Sequence, residues 1–220
     1  MCLYYFTTAE HGLAAIRDQR LKIAEIEQLN DPFEFLGFEL SDRKFRARIT
    51  RCKKEIAKDR GLICMSKYWN EPLMWSHYAD RHKGICLGFD VSAQCNRVEY
   101  IKERLPTSHL KESWQTPPTP ENIREIIDSF FYKFKAWDYE EEYRLLCPKS
   151  YRDKGSNLYF QLFGNDMRLE TVIVGCTSSV TRSEIDSALG QQAGNVEKFK
   201  ARTGFNRYEI VRNKRTSLWR

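Results

Sequence analysis

The chain has 220 residues, 41% of them apolar and 13% aromatic, with a formal net charge of +6. That apolar share is enough to bury a core, which excludes a chain disordered in bulk. No apolar run approaches the length of a membrane span, and seven cysteines without a short paired spacing exclude a disulfide-stapled scaffold.

The start, M-C-L-Y-Y-F-T-T, has no basic segment followed by a long apolar run. A cytoplasmic protein with reduced thiols is expected, built as a single domain over 1–220. Lys and Arg cluster at Arg43–Lys58 and Lys198–Arg220. Such clusters suit nucleic acid, nucleotides or other anions, and equally suit plain solubility.

In chain order, Leu3–Thr7 reads as a short aromatic strand. Thr8 is placed to cap a helix over Glu10–Arg17, with Leu13 and Ile16 inward. Arg20–Ala24 reads as a second strand. L-N-D-P-F-E, Leu29–Glu34, is turn chemistry around Asn-Asp-Pro. Asp42–Asp59 spaces Phe45, Ile49 and Ile56 at helical intervals on an otherwise basic segment. Leu62–Ser66 is an apolar strand, Leu73–Ala79 a short helix opened by Pro72, and Ile85–Phe89 another apolar strand.

Val98–Ile101 reads as a strand. Residues 103–120, with Pro106, Pro117, Pro118 and Pro120, read as a surface loop or insertion. A helix is expected over Glu121–Phe134, with Ile123, Ile126, Ile127, Phe130 and Phe131 as its buried stripe. Ala136–Leu146 reads as a strand with Tyr139, Glu141, Tyr143 and Leu145 on one face and Glu140, Glu142 and Arg144 on the other. Further strands are expected at Tyr159–Phe163, Thr171–Val174 and Arg207–Val211, a capped helix at Thr181–Leu189, and then a basic tail. Strands and helices do not alternate regularly, so the fold class is α+β, not a doubly wound parallel sheet.

Several chemistries lack their motifs. There is no H-E-x-x-H or cysteine pair, and His77 and His82 stand five apart, so no metal site is expected. P-loop, dinucleotide-fingerprint and G-x-S-x-G motifs are missing. Two stretches remain. Met74–Asp90 crowds Trp75, His77, Tyr78, His82 and Lys83 into nine positions, mixing ring faces with hydrogen-bonding edges as a nucleotide pocket needs. A capped helix packing Trp75 and Tyr78 into the core explains the same residues. The other stretch is the strand with Glu140 and Glu142, two carboxylates close enough to perturb each other, with Arg144 next in line to hold one charged. A solvated strand face accounts for that pattern as well.

Three blocks taken together, L-N-D-P-F-E at 29–34, M-W-S-H-Y-A-D-R-H-K-G at 74–84 and W-D-Y-E-E-E-Y-R at 137–144, resemble a bacterial and phage family known as a domain of unknown function, numbered twenty-nine seventy-one. More distantly, the layout is similar to the ADP-ribosyltransferase superfamily, which implies a split or mixed sheet core and NAD as substrate. On that likeness the L-Y-Y-F-T strand puts Tyr5 where the superfamily has an Arg or His, with Thr7 beside it. Ser66 takes the place of the residue that braces the catalytic glutamate. Glu142 falls at the catalytic glutamate and Glu140 at the residue that positions the acceptor. The NAD set then comprises Tyr5, Thr7, Asn30, Ser66, Trp75, His77, Tyr78, His82 and Arg144. The resemblance implies transfer of ADP-ribose to nucleic acid or protein, or NAD hydrolysis, in a toxin or phage-conflict setting. Two alternatives stay open: a non-catalytic nucleotide- or RNA-binding module on the same fold, and a metal-dependent nuclease using Glu140, Glu142 and His77.

Overall fold

The computed structural model describes residues 1–107, 130–150 and 152–219. Among these, eight strands form one mixed sheet. They are β1 (Cys2–Thr7), β3 (Arg60–Ser66), β4 (Ile85–Val91), β5 (Asn96–Arg97), β8 (Glu142–Pro148), β10 (Met167–Val174), β11 (Glu197–Thr203) and β12 (Ile210–Arg212). Their order is β12-β11-β10-β4-β1-β3-β8-β5. β10 and β11 run parallel, and the other neighbours are antiparallel. Two small ribbons flank the sheet: β2 (Arg20–Lys22) with β9 (Phe160–Leu162), and β6 (Glu99–Ile101) with β7 (Tyr132–Phe134). The fold is α+β, with strands from both ends of the chain in one sheet.

Helices cover both faces. On one face α1 (Ala9–Asp18) and α4 (Arg182–Leu189) place Ile16, Ile185 and Leu189 on Leu3, Ile63, Leu87, Phe89 and Val172. Each such side chain removed from water contributes about 1.5–3 kcal/mol. The starts of these helices are set locally. Thr8 accepts from the His11 amide, and Thr181 and Glu184 form a reciprocal capping box.

The other face is covered in two separate pieces. α3 (Pro72–Tyr78) lays Met74 and Trp75 over Phe6, Cys86, Ile173 and Phe199. α2 (Arg43–Asp59), capped by Asp42, lays Ile49 and Cys52 over Leu62, with Phe35 and Phe130 alongside. Between these two pieces the sheet face carries charge.

Gly175, at the end of β10, is required by a close approach: a Cβ there would lie 2.1 Å from the His82 carbonyl oxygen. The turn that follows β10, within Val172–Thr177, is therefore a packing junction against the Asp80–His82 turn, whose three residues all take positive φ.

Three expectations are corrected. The 136–146 strand is a 3-10 turn over Lys135–Glu140 followed by β8, because Glu141 takes a left-handed conformation (φ 41°, ψ 52°) that breaks the extended run. The helix expected over Glu121–Phe134 does not reach its end: Tyr132–Phe134 is a strand paired with β6, and residues 121–129 lie outside the described residues. The basic cluster that begins at Lys198 holds a strand that was not expected, β11, in which Phe199 and Ala201 point to the core while Lys198 and Lys200 stand on the other side. Of the 103–120 loop, 108–120 also lie outside the described residues. Among the described residues, no helix is long and apolar enough to cross a membrane.

Candidate active site

β1 and β3 meet at a single bridge, Tyr4 opposite Ser66. From there β1 stays paired with β4 along its whole length, and β3 with β8. The two strands part, and a cavity of about 190 Å³ opens in the gap, lined among others by Tyr4, Tyr5, Asn30, Glu34, Cys64, Tyr78, Lys133, Glu140 and Glu142.

The cavity wall is a buried charge cluster. Lys133 Nζ lies 2.6 Å from Glu140, 3.1 Å from Glu142 and 3.1 Å from Glu34. Arg144 donates from Nε and Nη2 to Glu142 at 2.8 and 3.0 Å, from Nη2 to both oxygens of Glu34, and from Nη1 to the Phe130 carbonyl at 2.9 Å. All five side chains are buried. Trp137 and Phe35 present ring faces to Lys133 and Arg144. Three carboxylates face two cations, so the cluster carries one unbalanced negative charge when every acid is ionised. Desolvating that many charges is costly unless each is paired and hydrogen-bonded, and here each is.

The excess charge is resolved unevenly. Burial works against the Glu142 carboxylate, but Arg144 and Lys133 outweigh it and hold that carboxyl well below its ordinary range. Burial pushes Glu140 up to about 7; Lys133 opposes the rise, and the Glu142 charge adds to it. Burial also opposes the charge of Lys133, yet its three carboxylates keep it firmly protonated. Tyr78 donates to Glu140 Oε1 at 2.6 Å and accepts from Asn30 Nδ2 at 3.3 Å. The Glu142 amide donates to the Tyr100 hydroxyl at 2.9 Å.

This division has a consequence for stability. Between about pH 4.5 and 7 the folded chain keeps a proton on Glu140 that the unfolded chain has released. The stability Glu140 contributes is therefore full below pH 4.5 and is lost as pH rises to about 7. Glu142 runs the other way, contributing stability above the ordinary carboxylate range that is lost as pH falls. Glu140→Gln removes the first slope. From pH 4 to pH 8 the unfolding free energy of the variant is expected to rise relative to wild type by about 2–3 kcal/mol, measured by urea melts. A gap that does not change with pH would contradict a raised Glu140 carboxyl.

The three sequence blocks converge on this cavity. The 29–34 block supplies Asn30 and Glu34, α3 supplies Tyr78, and the 137–144 block supplies Glu140, Glu142 and Arg144. Tyr5 also lines the cavity, reaching it through the gap while packing on the core on the far side of β1. Burial pushes its hydroxyl up to about 12.

Other expected residues lie elsewhere. Trp75 is a core residue, fully buried, with Nε1 donating to the Trp69 carbonyl and its ring edge-on to Phe6. Ser66 stands opposite Glu142 in register but spends its hydroxyl on the Tyr68 backbone, so it braces its own loop and not the glutamate. Thr7 is buried but does not line the cavity, and His77 is exposed outside it, near the Tyr78 and Tyr139 rings. His82 belongs to the turn against Gly175 and Thr177. Sequence reasoning missed Lys133, hidden in an apparent helical stripe, and Glu34, read as part of a turn. The visible signal for Lys133 was a single cation inside F-F-Y-K-F.

Chemically, the cluster offers a carboxyl near neutrality beside one held ionised, which is how paired carboxylates divide acid-base and charge-stabilising roles. A divalent ion shared by Glu140 and Glu142, as the nuclease alternative requires, would have to displace the Lys133 ammonium that already bridges them.

Residues 74–145 match the model of a family described as "Protein of unknown function (DUF2971)", the family that the sequence blocks resemble. The matched segment contains Tyr78, Lys133, Glu140, Glu142 and Arg144 and leaves Glu34 outside. Comparison with curated proteins and with solved structures gives no match.

Proposed function

We propose that the cavity is the active site of an ADP-ribosyltransferase-like enzyme that cleaves NAD, passing ADP-ribose to an acceptor or to water. The observation that carries this reading is the pair Glu140 and Glu142, buried side by side at a split in the sheet with their ionisation pushed apart. Breaking the bond between nicotinamide and ribose sends the electron pair out with nicotinamide and leaves positive charge on the ribose, as in glycoside cleavage. A buried site with one unbalanced negative charge stabilises that charge.

Glu140 is the acid-base group, since its carboxyl lies near the pH at which it must both hold and release a proton. As the ribose is attacked, Glu140 takes the proton of the incoming water or acceptor group. Glu142, tied on both oxygens, supplies a fixed charge that positions Lys133 and raises Glu140. This shifts the leading chemical role from Glu142 to Glu140.

The cavity is smaller than the ~300–1,000 Å³ usual for whole small-molecule ligands. It therefore takes the nicotinamide-ribose end, between the rings of Tyr4 and Tyr78 and beside the Tyr5 hydroxyl, with the adenylate outside.

A Tyr78→Phe variant tests the acid-base assignment. The lost hydrogen bond stabilises the Glu140 carboxylate and is charge-assisted, worth about 1.5–3 kcal/mol. The acidic limb of the pH-rate profile for nicotinamide release is expected to move up by about 1–2 pH units. An unmoved limb would remove Glu140 from the role.

A further inference from the structure

The hairpin joining β11 to β12 and the neighbouring Lys67–Asn70 loop form a surface that the cavity chemistry leaves unused. Phe205 is 87% exposed, Tyr208 is fully exposed and Tyr68 is 54% exposed. Rings this open are interleaved with cations. From Glu197 to Arg215 there are seven Lys and Arg against two acids, Glu197 and Glu209; of the seven, Arg212 is ion-paired with Glu197 and Lys198 with Asp186. The Arg202 guanidinium lies 4.2 Å from the Phe205 ring centre, and Arg212 lies 4.5 Å from that of Phe199. Arg207, Lys214 and Arg215 are exposed. The two loops are tied together by the Ile210 amide, which donates to the Asn70 carbonyl at 2.9 Å. Between them runs a groove lined by Lys67, Tyr68, Trp69, Glu209 and Arg212, with Tyr4 also in its lining. Tyr4 lines the cavity as well, so the two sites share that residue.

We propose that this surface binds a single-stranded polynucleotide, with bases stacked on Phe205, Tyr208 and Tyr68 and phosphates held by Arg202 and Arg207. A protein partner would be met by a contiguous apolar patch, whereas here each open ring is flanked by positive charge. Exposed ring faces serve unpaired bases, which a duplex hides, and arginine beside an aromatic ring adds to both stacking and phosphate contact. The surface needs neither NAD nor Glu140, so it stands or falls apart from the chemistry proposed for the cavity.

Fluorescence anisotropy with labelled 15-residue oligo(U), oligo(dT) and a duplex tests it on the full chain. Both single strands are expected to bind at least about tenfold more tightly than the duplex, and the stronger of the two identifies RNA or DNA as the source. Phe205→Ala with Tyr208→Ala is expected to weaken binding by about tenfold or more. Arg202→Gln with Arg207→Gln is expected to flatten the slope of log affinity against log salt by about 1–1.5. Glu140→Gln should leave binding unchanged. Phe205, Arg207 and Tyr208 are exposed and Arg202 is half-buried, and a melt checks that each variant stays folded. No binding at low salt, preference for the duplex, or binding indifferent to both double substitutions would overturn the proposal and leave a protein partner for the patch.

Discussion

Replacing Arg144 with methionine is expected to cost about 3–5 kcal/mol of stability, a fall in melting temperature of about 6–20 °C for a chain of this size. The guanidinium is fully buried and holds Glu34, Glu142 and the Phe130 carbonyl at once. Methionine fills similar space, so the loss is one of charge. Two carboxylates stay in the interior with Lys133 alone to balance them and Glu140. Because the cost lies in stranded charge, adding Glu34→Gln and Glu142→Gln to the methionine variant is expected to restore part of it. A useful reference is Lys58→Ala, which breaks a solvent-exposed pair with Glu55 and is expected to cost less than about 1 kcal/mol. If thermal melts give both single variants the same small loss, the buried cluster is not holding this face of the sheet together.

The second large effect concerns turnover. Glu140→Gln is expected to lower nicotinamide release by about 10²–10⁴-fold, because glutamine cannot take the proton of the attacking group. The same substitution keeps the shape of the side chain, its amide oxygen accepting from Lys133 and its NH2 donating to the Tyr78 oxygen in place of the bond Tyr78 gave, and it leaves two cations facing two carboxylates. It is therefore expected to be more stable than wild type at pH 8 while being far less active. An essential structural residue would lose both together. Equal activity in variant and wild type would end the assignment of Glu140 as the acid-base group.

Much of the fold was legible because local chemistry agreed with the tertiary solution. Thr8, Asp42 and Thr181 each sit where a helix needs an oxygen acceptor, and the structure starts α1, α2 and α4 one residue later. β1, β3 and β4 were readable from apolar runs ended by turn residues. β11 was not, since Lys198, Lys200 and Arg202 alternate with its two inward residues, Phe199 and Ala201, and hide the apolar face. The order of strands, and with it the split between β1 and β3, depends on long-range pairing that no local pattern encodes.

The site was half legible for a related reason. Glu140 and Glu142 were expected to converge because strand side chains alternate. They do converge, but through a different geometry, the left-handed kink at Glu141 that swings Glu140 back toward Lys133. The partners that decide their ionisation, Glu34 and Lys133, come from 108 residues upstream of Glu142 and from a strand that resembled the end of a helix. Three-dimensional charge balance of this kind is invisible to a reading that counts neighbours along the chain. Trp75 and Ser66 show the converse: residue types suited to a pocket were used instead to anchor α3 and the loop after β3.

The most direct measurement is nicotinamide release from NAD by the purified chain, followed by chromatography from pH 5 to pH 9. The proposed site predicts release that rises through about pH 7 as Glu140 ionises, and that collapses in Glu140→Gln protein shown by melting to be folded. A folded wild-type chain that neither binds NAD nor releases nicotinamide anywhere in that range would contradict it.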